Sequence, residues 1–353
     1  MTNPRSVSLQ TLRRARRTRR SLLAAALQLI AVTACDVAAA SKGAVSDFET
    51  RQSPEDAWWT GPILASSAAS VPRSHFLIEP YLYDSILAGR FDQEGVHRST
   101  SRSHSVRSTV SVQYGLSDRV TVGVTPSLGF NRASGGARSS LGLGDLSLQA
   151  QYRLTDFQQG RPIPTTSILL TATIPTARYD RLGLHPEDGL GTGAYTGAAS
   201  VYSQYYFWLP TGRVLRARLD LSFSISDRVN LQGASVYGTP QGFRGHAAPG
   251  DSFAAYLSGE YSVTRNWVLA FEVAHQHGEN TRVVAGNPIT LAHTAGVVEF
   301  QTNSGSSHSL ALAPELEYSW NSRVGLLAGA IFTVSGRNAS ETITTVLALN
   351  YSL

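Results

Sequence analysis

Charged side chains recur at alternate positions in several segments of this chain. The stretch "LRARLD" contains Arg216, Arg218 and Asp220, and the stretch "PELE" contains Glu315 and Glu317. Successive side chains of a β-strand point to opposite faces, so each set would lie on one face of one strand. Carboxylates and guanidiniums arranged in this way can pair with each other across strands or line a passage for a polar solute.

Histidines supply a second set of candidate groups. His275 and His277 form an H-x-H pair, a spacing that could ligate a metal. They lie at the outer end of a predicted strand and in phase with its apolar face, which favours a boundary position over a metal site. "HPED" at His185 and "GHAAPGD" at Gly245 place further His, Asp and Glu residues in predicted loops, without the spacing of a known membrane hydrolase. We therefore predict no catalytic residue, no metal site, no cofactor and no enzymatic activity.

The elements that carry these residues show a period of two. Apolar and polar residues alternate from Val106 to Leu116, from Val120 to Phe130, from Leu215 to Phe223 and from Leu310 to Tyr318. Two architectures share this pattern. A soluble sandwich buries the apolar face against a second sheet, whereas a membrane barrel turns that face toward lipid and keeps the polar face for its lumen.

Four features favour an antiparallel transmembrane β-barrel of the outer membrane. The segments are about 10–12 residues long, which suits a tilted span, and a predicted export signal precedes them. Short corners alternate with long connections, as periplasmic turns alternate with extracellular loops. Aromatic residues lie at segment ends, where rings with a polar tip favour the membrane–water interface. The predicted interface aromatics are Tyr114, Tyr152, Trp208, Tyr261, Trp267, Tyr318, Trp320 and Tyr351.

Twelve strands account for the alternation and place both ends of the barrel on the periplasmic side. The predicted segments are about 75–84, 105–116, 120–130, 143–154, 166–175, 196–208, 213–225, 252–263, 267–277, 308–320, 324–334 and 342–353. The corner "SISDRV" at Ser224 then begins an extracellular extension. If it were a periplasmic turn, "TAGVVEFQT" near Gly296 could supply a further strand, for fourteen in all. Pro80, Pro126 and Pro314 fall inside strands, where bulges or kinks are expected.

The N-terminus is typical of an export signal, with arginines before the apolar run "SLLAAALQLIAVTA". Cleavage after Ala40 would remove a signal peptide of residues 1–40. The alternative is a lipoprotein signal cleaved before Cys35, which would then be lipidated. We expect residues 41–74 to be a periplasmic N-terminal segment, able to fold into or against the barrel, and residues 75–353 to form the barrel. No later apolar run is long enough for a transmembrane helix.

The net charge of +5 gives no support to nucleic-acid binding. Seven of the 30 basic residues and one of the 25 acidic residues precede Ser41, so the remainder is close to neutral. The only cysteine, Cys35, lies in the signal, which excludes an intrachain disulfide.

The polar strand faces predict a set of residues that line the lumen. They are Glu79, Arg107, Gln149, Gln151, Arg153, Arg216, Arg218, Asp220, Glu260, Glu272, Glu315 and Glu317. Two interpretations remain open. The set could select polar or mildly amphiphilic solutes, or it could form a network of ion pairs that fills and closes the barrel. Arg216 and Arg218 lie on the strand before Glu260, so that pairing between these strands is feasible.

Four phrases resemble one family of outer-membrane proteins, named for a Putative MetA-pathway of phenol degradation. They are "WWTGPILASSAASVPRSHFLIEPYLYD", "GLGDLSLQAQYRL", "TATIPTARYD" and "LALAPELEYSWNSRVGLLAGAIFTVSGRN". The similarity spans most of the mature chain, although Ala177 replaces the glycine of the family's proline-threonine-glycine corner. The resemblance implies a transporter-like outer-membrane barrel.

These observations together predict the location, the partners and the function. We expect an exported protein of the bacterial outer membrane that contacts lipid and is recognised by the assembly machinery through its C-terminal strand, 342–353. Alternate apolar residues reach the last position, where Leu353 replaces the usual Phe. The predicted function is passive uptake of small solutes, aromatic or hydrophobic ones included. The alternative is a sealed structural or adhesive barrel that acts through its extracellular loops.

Overall fold

The computed structural model describes residues 51–286, 289–290, 297–298 and 301–353. The predicted signal of residues 1–40, Cys35 with it, lies outside the described residues. Residues Arg51–Leu353 form one compact unit, whose main element is a closed antiparallel barrel.

Twelve strands form the barrel, as the alternation predicted. In chain order they are β1 (Phe76–Phe91), β2 (His104–Ser117), β3 (Val120–Thr125 and Ser127–Arg132), β4 (Leu146–Thr155), β5 (Thr165–Ile174), β6 (Thr196–Trp208), β7 (Val214–Ser226), β8 (Ser252–Ser262), β9 (Trp267–Gly278), β10 (Ser307–Ser319), β11 (Val324–Arg337) and β12 (Ala339–Ser352). Each pairs with its neighbours in sequence.

The barrel closes between its first and last strands. β1 pairs with β12 in a register that runs from Leu77 opposite Ser352 to Phe91 opposite Ala339. At the short-turn end, Phe76 and Leu353 exchange two backbone hydrogen bonds of 3.1 and 2.9 Å. Closure leaves no free edge, so that every strand satisfies its backbone groups within the wall.

The two faces of the wall differ as a membrane barrel requires. On β8, the side chain of Leu257 is 55% exposed, whereas that of the next residue, Ser258, is 2% exposed. On β10, Leu316 is 41% exposed and Glu317 is fully buried. The exposed apolar side chains point outward and the buried polar ones point inward, because neighbours on a strand face opposite sides.

Strand ends on the long-loop side differ from the sequence-based expectation. β1 extends to Phe91, and the last long connection, expected over 335–341, shrinks to Asn338 alone between β11 and β12. Asn338 adopts φ 46°, a left-handed conformation that asparagine tolerates better than most residues, so the two strands meet in a tight turn.

The three prolines interrupt pairing in different ways. Pro126 divides β3 into two pieces. At Pro80 the pairing of β1 with β12 skips from Ile78 to Tyr81, and at Pro314 the pairing of β10 with β11 skips from Leu312 to Glu315. The register is the same before and after Pro80 and before and after Pro314. Each of these prolines therefore removes a few strand pairs but introduces no bulge.

The long loops build a second, smaller sheet. Its strands are Val229–Gln232, Arg244–Ala248, Arg282–Ala285 and Gln301–Asn303. Its apolar core includes Leu231, Phe243 and Val283. The segment after "SISDRV" enters this outer sheet, as expected of an extracellular extension. Much of "TAGVVEFQT" lies outside the described residues. Of its described part, Val297–Val298 pair with Ile289–Thr290, and the last two residues belong to the outer-sheet strand Gln301–Asn303 rather than to a thirteenth barrel strand.

Short elements complete the fold. Two-residue strands lie at His97–Arg98, Gly142–Leu143, Ile289–Thr290 and Val297–Val298, and 3-10 turns at Pro54–Asp56 and Pro186–Asp188. Among the residues described, no helix has the length and apolarity needed to cross a membrane.

Candidate functional site: the lumen and the segment inside it

Residues 51–74, which precede β1, run through the interior of the barrel; we refer to them as the inner segment. The segment starts at the short-turn end, where the indole N–H of Trp208 donates to the carbonyl of Gln52 over 2.7 Å. The N–H of Trp58 then donates to the carbonyl of Arg265, in the turn between β8 and β9, over 2.9 Å. The chain therefore enters the lumen past the periplasmic turns.

Carboxylates on the lumen face hold the first half of the inner segment by its backbone. Each accepts one or two N–H groups from consecutive parts of the segment. Glu317 accepts from Thr60 (2.7 Å) and Gly61 (3.0 Å), Glu315 from Ile63 (3.0 Å), Glu272 from Leu64 (2.7 Å) and Ala65 (2.6 Å), and Asp220 from Ser66 (2.6 Å). Four side chains therefore hold six backbone N–H groups of the segment along one row.

Neutral side chains hold the second half. Gln204 accepts from the N–H of Ala68 over 3.2 Å, and Gln151 donates to the carbonyl of Ser67 over 3.0 Å. The hydroxyl of Thr121 accepts from the N–H of Val71 over 2.9 Å. The segment thus crosses from β10 and β9 past β7 to β6, β4 and β3, and it contacts much of the circumference.

Gly115 on β2 allows the segment to leave the lumen. The N–H of Ser74 donates to the Gly115 carbonyl over 2.8 Å, and the N–H of Gly115 donates to the His75 carbonyl over 3.1 Å. A Cβ atom at position 115 would lie 2.0 Å from the carbonyl oxygen of Pro72. Only glycine fits this close approach of two backbones.

Two arginines and one glutamate form a buried ion-pair network below the segment. Glu260 is fully buried and its Oε1 accepts from Nε of both Arg216 and Arg218 at 2.8 Å. Arg218 also donates to the carbonyl of Ala65 over 3.1 Å, and Arg216 stacks over the ring of Trp59 with 4.3 Å to its centroid. The network therefore joins the wall to the inner segment, and it leaves little open space at this level.

The inner segment takes part in one apolar cluster of the wall, and Trp59 makes a ring contact with Tyr206. Ile63 packs in a cluster with Leu327 on β11 and with Val346 and Ala348 on β12. Most other neighbours of the segment are polar, so its position depends mainly on hydrogen bonds to its backbone.

The extracellular half of the lumen holds an open cavity of about 610 Å³, the vestibule. Its wall carries the hydroxyls of Thr109, Thr125, Ser127, Ser147 and Thr173, together with Arg107 and Asp145. Its roof consists of residues 189–192 with Val236 and Tyr237 from the long loops. The vestibule is therefore polar on the barrel side and partly apolar on the loop side.

Asp145 and Tyr237 fasten the roof. Asp145 accepts from the N–H of Ala177 (3.1 Å) and the N–H of Thr192 (2.9 Å), and the hydroxyl of Tyr237 donates to the Thr192 carbonyl over 2.7 Å. Burial raises the pKa of Tyr237 to about 12, with the negative charge of Asp145 as a further cause. The phenol is therefore neutral, and a donor, at ordinary pH.

The sequence profile of the family described as Putative MetA-pathway of phenol degradation matches residues 87–349, which is most of the chain. The chain belongs to this family. The match covers all of β2 to β11, and therefore the greater part of both the lumen wall and the vestibule.

Solved structures with a similar fold are outer-membrane barrels. An outer membrane channel from Pseudomonas putida F1 has a TM-score of 0.61 at 15% identity, with 83% of this chain and 100% of that chain covered. The translocator domain of the autotransporter NalP from Neisseria meningitidis has a TM-score of 0.40 at 13% identity, covering 79% of this chain and 88% of that one.

A mutant of the TodX monoaromatic hydrocarbon channel has a TM-score of 0.40 at 12% identity, with 80% and 90% covered. No curated protein matches the chain. At these identities the first structure supports the fold, and the two with lower scores carry no further argument. The fold and the family make this an outer-membrane barrel.

The residues predicted to line the lumen all lie on its inner face, but they divide into groups. Eight contact the inner segment or belong to the ion-pair network, namely Gln151, Arg216, Arg218, Asp220, Glu260, Glu272, Glu315 and Glu317. Glu79 accepts from Gln113 (3.2 Å) and Asn350 (3.0 Å). Arg153 donates to the Asp118 carbonyl over 2.8 Å at the periplasmic turn. Arg107 lies in the vestibule, and Gln149 lies beside Gly123 on β3.

Trp208 was predicted to lie at the membrane interface, but its ring faces the lumen. Its ring lies on the inner face, where it contacts Gln52 and lies under the guanidinium of Arg51 at 4.0 Å. Trp208 is in phase with Gln204, which faces the lumen, whereas Phe207 is in the outward phase and is 48% exposed. Tyr152, Trp267, Trp320 and Tyr351 are 41–50% exposed. Tyr114 stacks with Phe76, Trp267 with Tyr318, and Tyr261 keeps the outward phase of β8.

His275 and His277 lie on β9 near His308 of β10. The rings of His275 and His308 are 6.5 Å apart, and His277 pairs with Glu279 over 3.0 Å. Within the described part of the chain, no group of three or more His, Cys, Asp or Glu side chains is arranged to hold a metal ion.

Several residues of the site were missed from sequence. Gln204, Ser167 and Thr121 contact the inner segment, and the vestibule hydroxyls follow the same inward phase. The period of two could have identified them, because each occupies the polar phase of its predicted strand.

Proposed function

We propose that this protein is a passive outer-membrane channel for small solutes, aromatic or hydrophobic ones included, with the inner segment as the constriction of its pathway. Solute enters the vestibule from the extracellular side and passes the inner segment to reach the periplasm. The observation that carries the proposal is the open polar vestibule of about 610 Å³ on the extracellular side of a segment held by hydrogen bonds.

The chemistry of the constriction supports this proposal. A permanent seal would be expected to use an apolar core, whereas the inner segment has an apolar cluster at Ile63 and is held mainly by hydrogen bonds to its backbone N–H and carbonyl groups. A hydrogen bond to the wall can be exchanged for one to water, so each contributes only about 0.5–1.5 kcal/mol net. Local displacement of the segment is therefore feasible without unfolding of the barrel.

Two comparisons agree with this function. The family is described by a pathway of phenol degradation, and the structure from Pseudomonas putida F1 with the same fold is that of an outer membrane channel.

The test is solute flux through the refolded full chain in liposomes. We expect the liposomes to swell faster than empty ones in isosmotic solutions of small sugars. In planar bilayers we expect stepwise conductance that membranes without protein lack. Heat-unfolded protein serves as the control. A correctly folded protein, identified by its heat-modifiable migration on gels, that passes neither solute nor ions would contradict the channel.

A sealed structural or adhesive barrel is the second candidate. The full burial of Glu260 and the many contacts of the inner segment around the lumen favour it. It predicts zero conductance for the wild-type chain and binding activity that depends on the outer loops alone.

A further inference from the structure

We propose that the vestibule is a binding site for a small organic anion with an apolar body, and that Arg107 holds the anionic group. This inference rests on the proposed channel function, since it names the solute class that the entrance retains. Binding and transport can be tested separately, because an anion can bind in the vestibule without passing the inner segment.

Arg107 differs from the other arginines of the lumen. The guanidiniums of Arg216 and Arg218 are both bound to Glu260. Arg107 donates a single long hydrogen bond of 3.5 Å to the carbonyl of Leu190, and no carboxylate of the described chain lies within salt-bridge distance of it. A guanidinium carries five N–H donors, so most of those on Arg107 face the open vestibule.

Asp145 is the carboxylate that lines the same cavity, and its oxygens are engaged by backbone donors. Both of its oxygens are occupied by the roof, Oδ1 by the N–H of Ala177 and Oδ2 by the N–H of Thr192. Its acceptor sites therefore point toward backbone donors, whereas the donors of Arg107 point into open space. A cationic solute would meet the free guanidinium and find no free carboxylate.

Hydroxyls complete the polar side of the site. Thr109, Thr125 and Ser127 lie on the same wall as Arg107. A hydroxyl can donate to an anionic oxygen next to the guanidinium, which adds hydrogen bonds without adding charge.

The roof supplies the apolar side. Leu190, Val236 and the ring of Tyr237 face the cavity opposite the hydroxyls. Since the raised pKa of Tyr237 keeps its phenol neutral, no negative charge develops there to repel an anion. The volume, about 610 Å³, lies within the range of about 300–1,000 Å³ that is usual for small-molecule sites. A benzoate-sized anion would fit with some water.

Isothermal titration calorimetry on the refolded full chain in detergent tests the site with three probes. Benzoate has both the charge and the apolar body, acetate has the charge alone, and benzyl alcohol has the body alone. We expect benzoate to bind most tightly. Arg107→Gln should weaken benzoate binding by about tenfold or more, the effect of losing a charged hydrogen-bond donor, and should leave benzyl alcohol unchanged.

Arg132→Gln is the matched control. Arg132 lies at the outer end of β3, opposite His104 of β2, and does not line the vestibule. This variant should bind benzoate like the wild type, and heat-modifiable migration verifies that both variants are folded.

Three results would overturn the inference: benzoate binding unchanged by Arg107→Gln, benzoate no tighter than benzyl alcohol, or acetate as tight as benzoate. Flux of neutral sugars is not expected to depend on Arg107. It therefore tests the channel function independently of the anion site. Binding intact with no sugar flux would contradict the channel and retain the site.

Discussion

In the periplasmic half of the lumen, Glu272 and Glu317 are fully buried and accept the backbone N–H groups of the inner segment. In the extracellular half, Arg107 and a set of hydroxyls line open space under a roof of loops. The carboxylates lie on β9 and β10 and the vestibule wall on β2 to β5, but both sets follow the same alternation. Polar side chains on an inner face can therefore either close a barrel or keep it hydrated, depending on whether a peptide occupies the space between them.

The largest expected effect comes from the buried network of the closed half. Glu260→Ala leaves the guanidiniums of Arg216 and Arg218 buried without their carboxylate, and removal of one partner from a buried ion pair costs about 3–5 kcal/mol. Urea unfolding in detergent, followed by the gel shift of the folded band, measures the loss of stability. Glu279→Ala, at an exposed pair with His277, is the control and should be near neutral. Equal losses in the two variants would show that burial of the network contributes nothing.

Release of the inner segment should come next in size. The double variant Glu272→Ala with Glu317→Ala removes the acceptors of four backbone N–H groups. Water can satisfy these groups once the segment is displaced, so we expect a smaller loss of stability than for the buried ion pairs. We expect larger single-channel conductance and faster proteolysis between residues 51 and 74.

Glu79→Ala is the control for this release, because Glu79 is a lumen carboxylate bound by Gln113 and Asn350. Unchanged conductance in the double variant, with the segment still protected, would mean that the closed half does not limit flow.

A glycine comparison probes the exit of the inner segment. Gly115→Ala places a Cβ against the backbone of Pro72 at 2.0 Å, and overpacking of this kind costs about 1–3 kcal/mol. Gly259→Ala on β8 has its nearest neighbour, Leu215, at 3.9 Å and should be tolerated. The urea midpoints of the two variants give the measurement. If both alanines were equally tolerated, the segment would have to leave the lumen by another path.

The smallest effect belongs to the roof of the open half. Tyr237→Phe removes the hydrogen bond to the Thr192 carbonyl, for a cost of about 0.5–1.5 kcal/mol, and should speed proteolysis of residues 176–195. In the wild type the folded pKa is raised from 10.0 to about 12, so the phenol stabilises the roof fully below about pH 10 and loses that contribution as pH rises toward 12. Limited proteolysis of the wild type should therefore become faster as pH rises through this range. A cleavage rate independent of pH would argue against the hydrogen bond from Tyr237 to Thr192.

The strand count could be predicted from sequence because each strand repeats the same physical requirement. Leu257 and Leu316 must face lipid while Ser258 and Glu317 must not, and this contrast recurs at every second residue. Trp208 was assigned to the wrong face because "YYFW" has aromatic residues on both faces at the end of β6, which removes the contrast.

The path of the inner segment could not be predicted, because its contacts are made by backbone N–H groups, which every residue except proline carries. An indirect signal was present. Glu272, Glu315 and Glu317 lie on the neighbouring strands β9 and β10 without a basic residue on either lumen face beside them. Buried carboxylates need hydrogen-bond donors. Three such carboxylates without a neighbouring basic side chain therefore indicate that another part of the chain supplies the donors.

The wall binds the middle of the inner segment through its backbone, and this affects which substitutions evolution can tolerate there. Between Leu64 and Ala69 the wall contacts N–H and carbonyl groups, while the side chains are mostly small. Exchanges among Ala, Ser and Gly there should be close to silent, whereas proline would remove a bonded N–H. The stretch is therefore free to drift in identity as long as its residues stay small and their number stays constant.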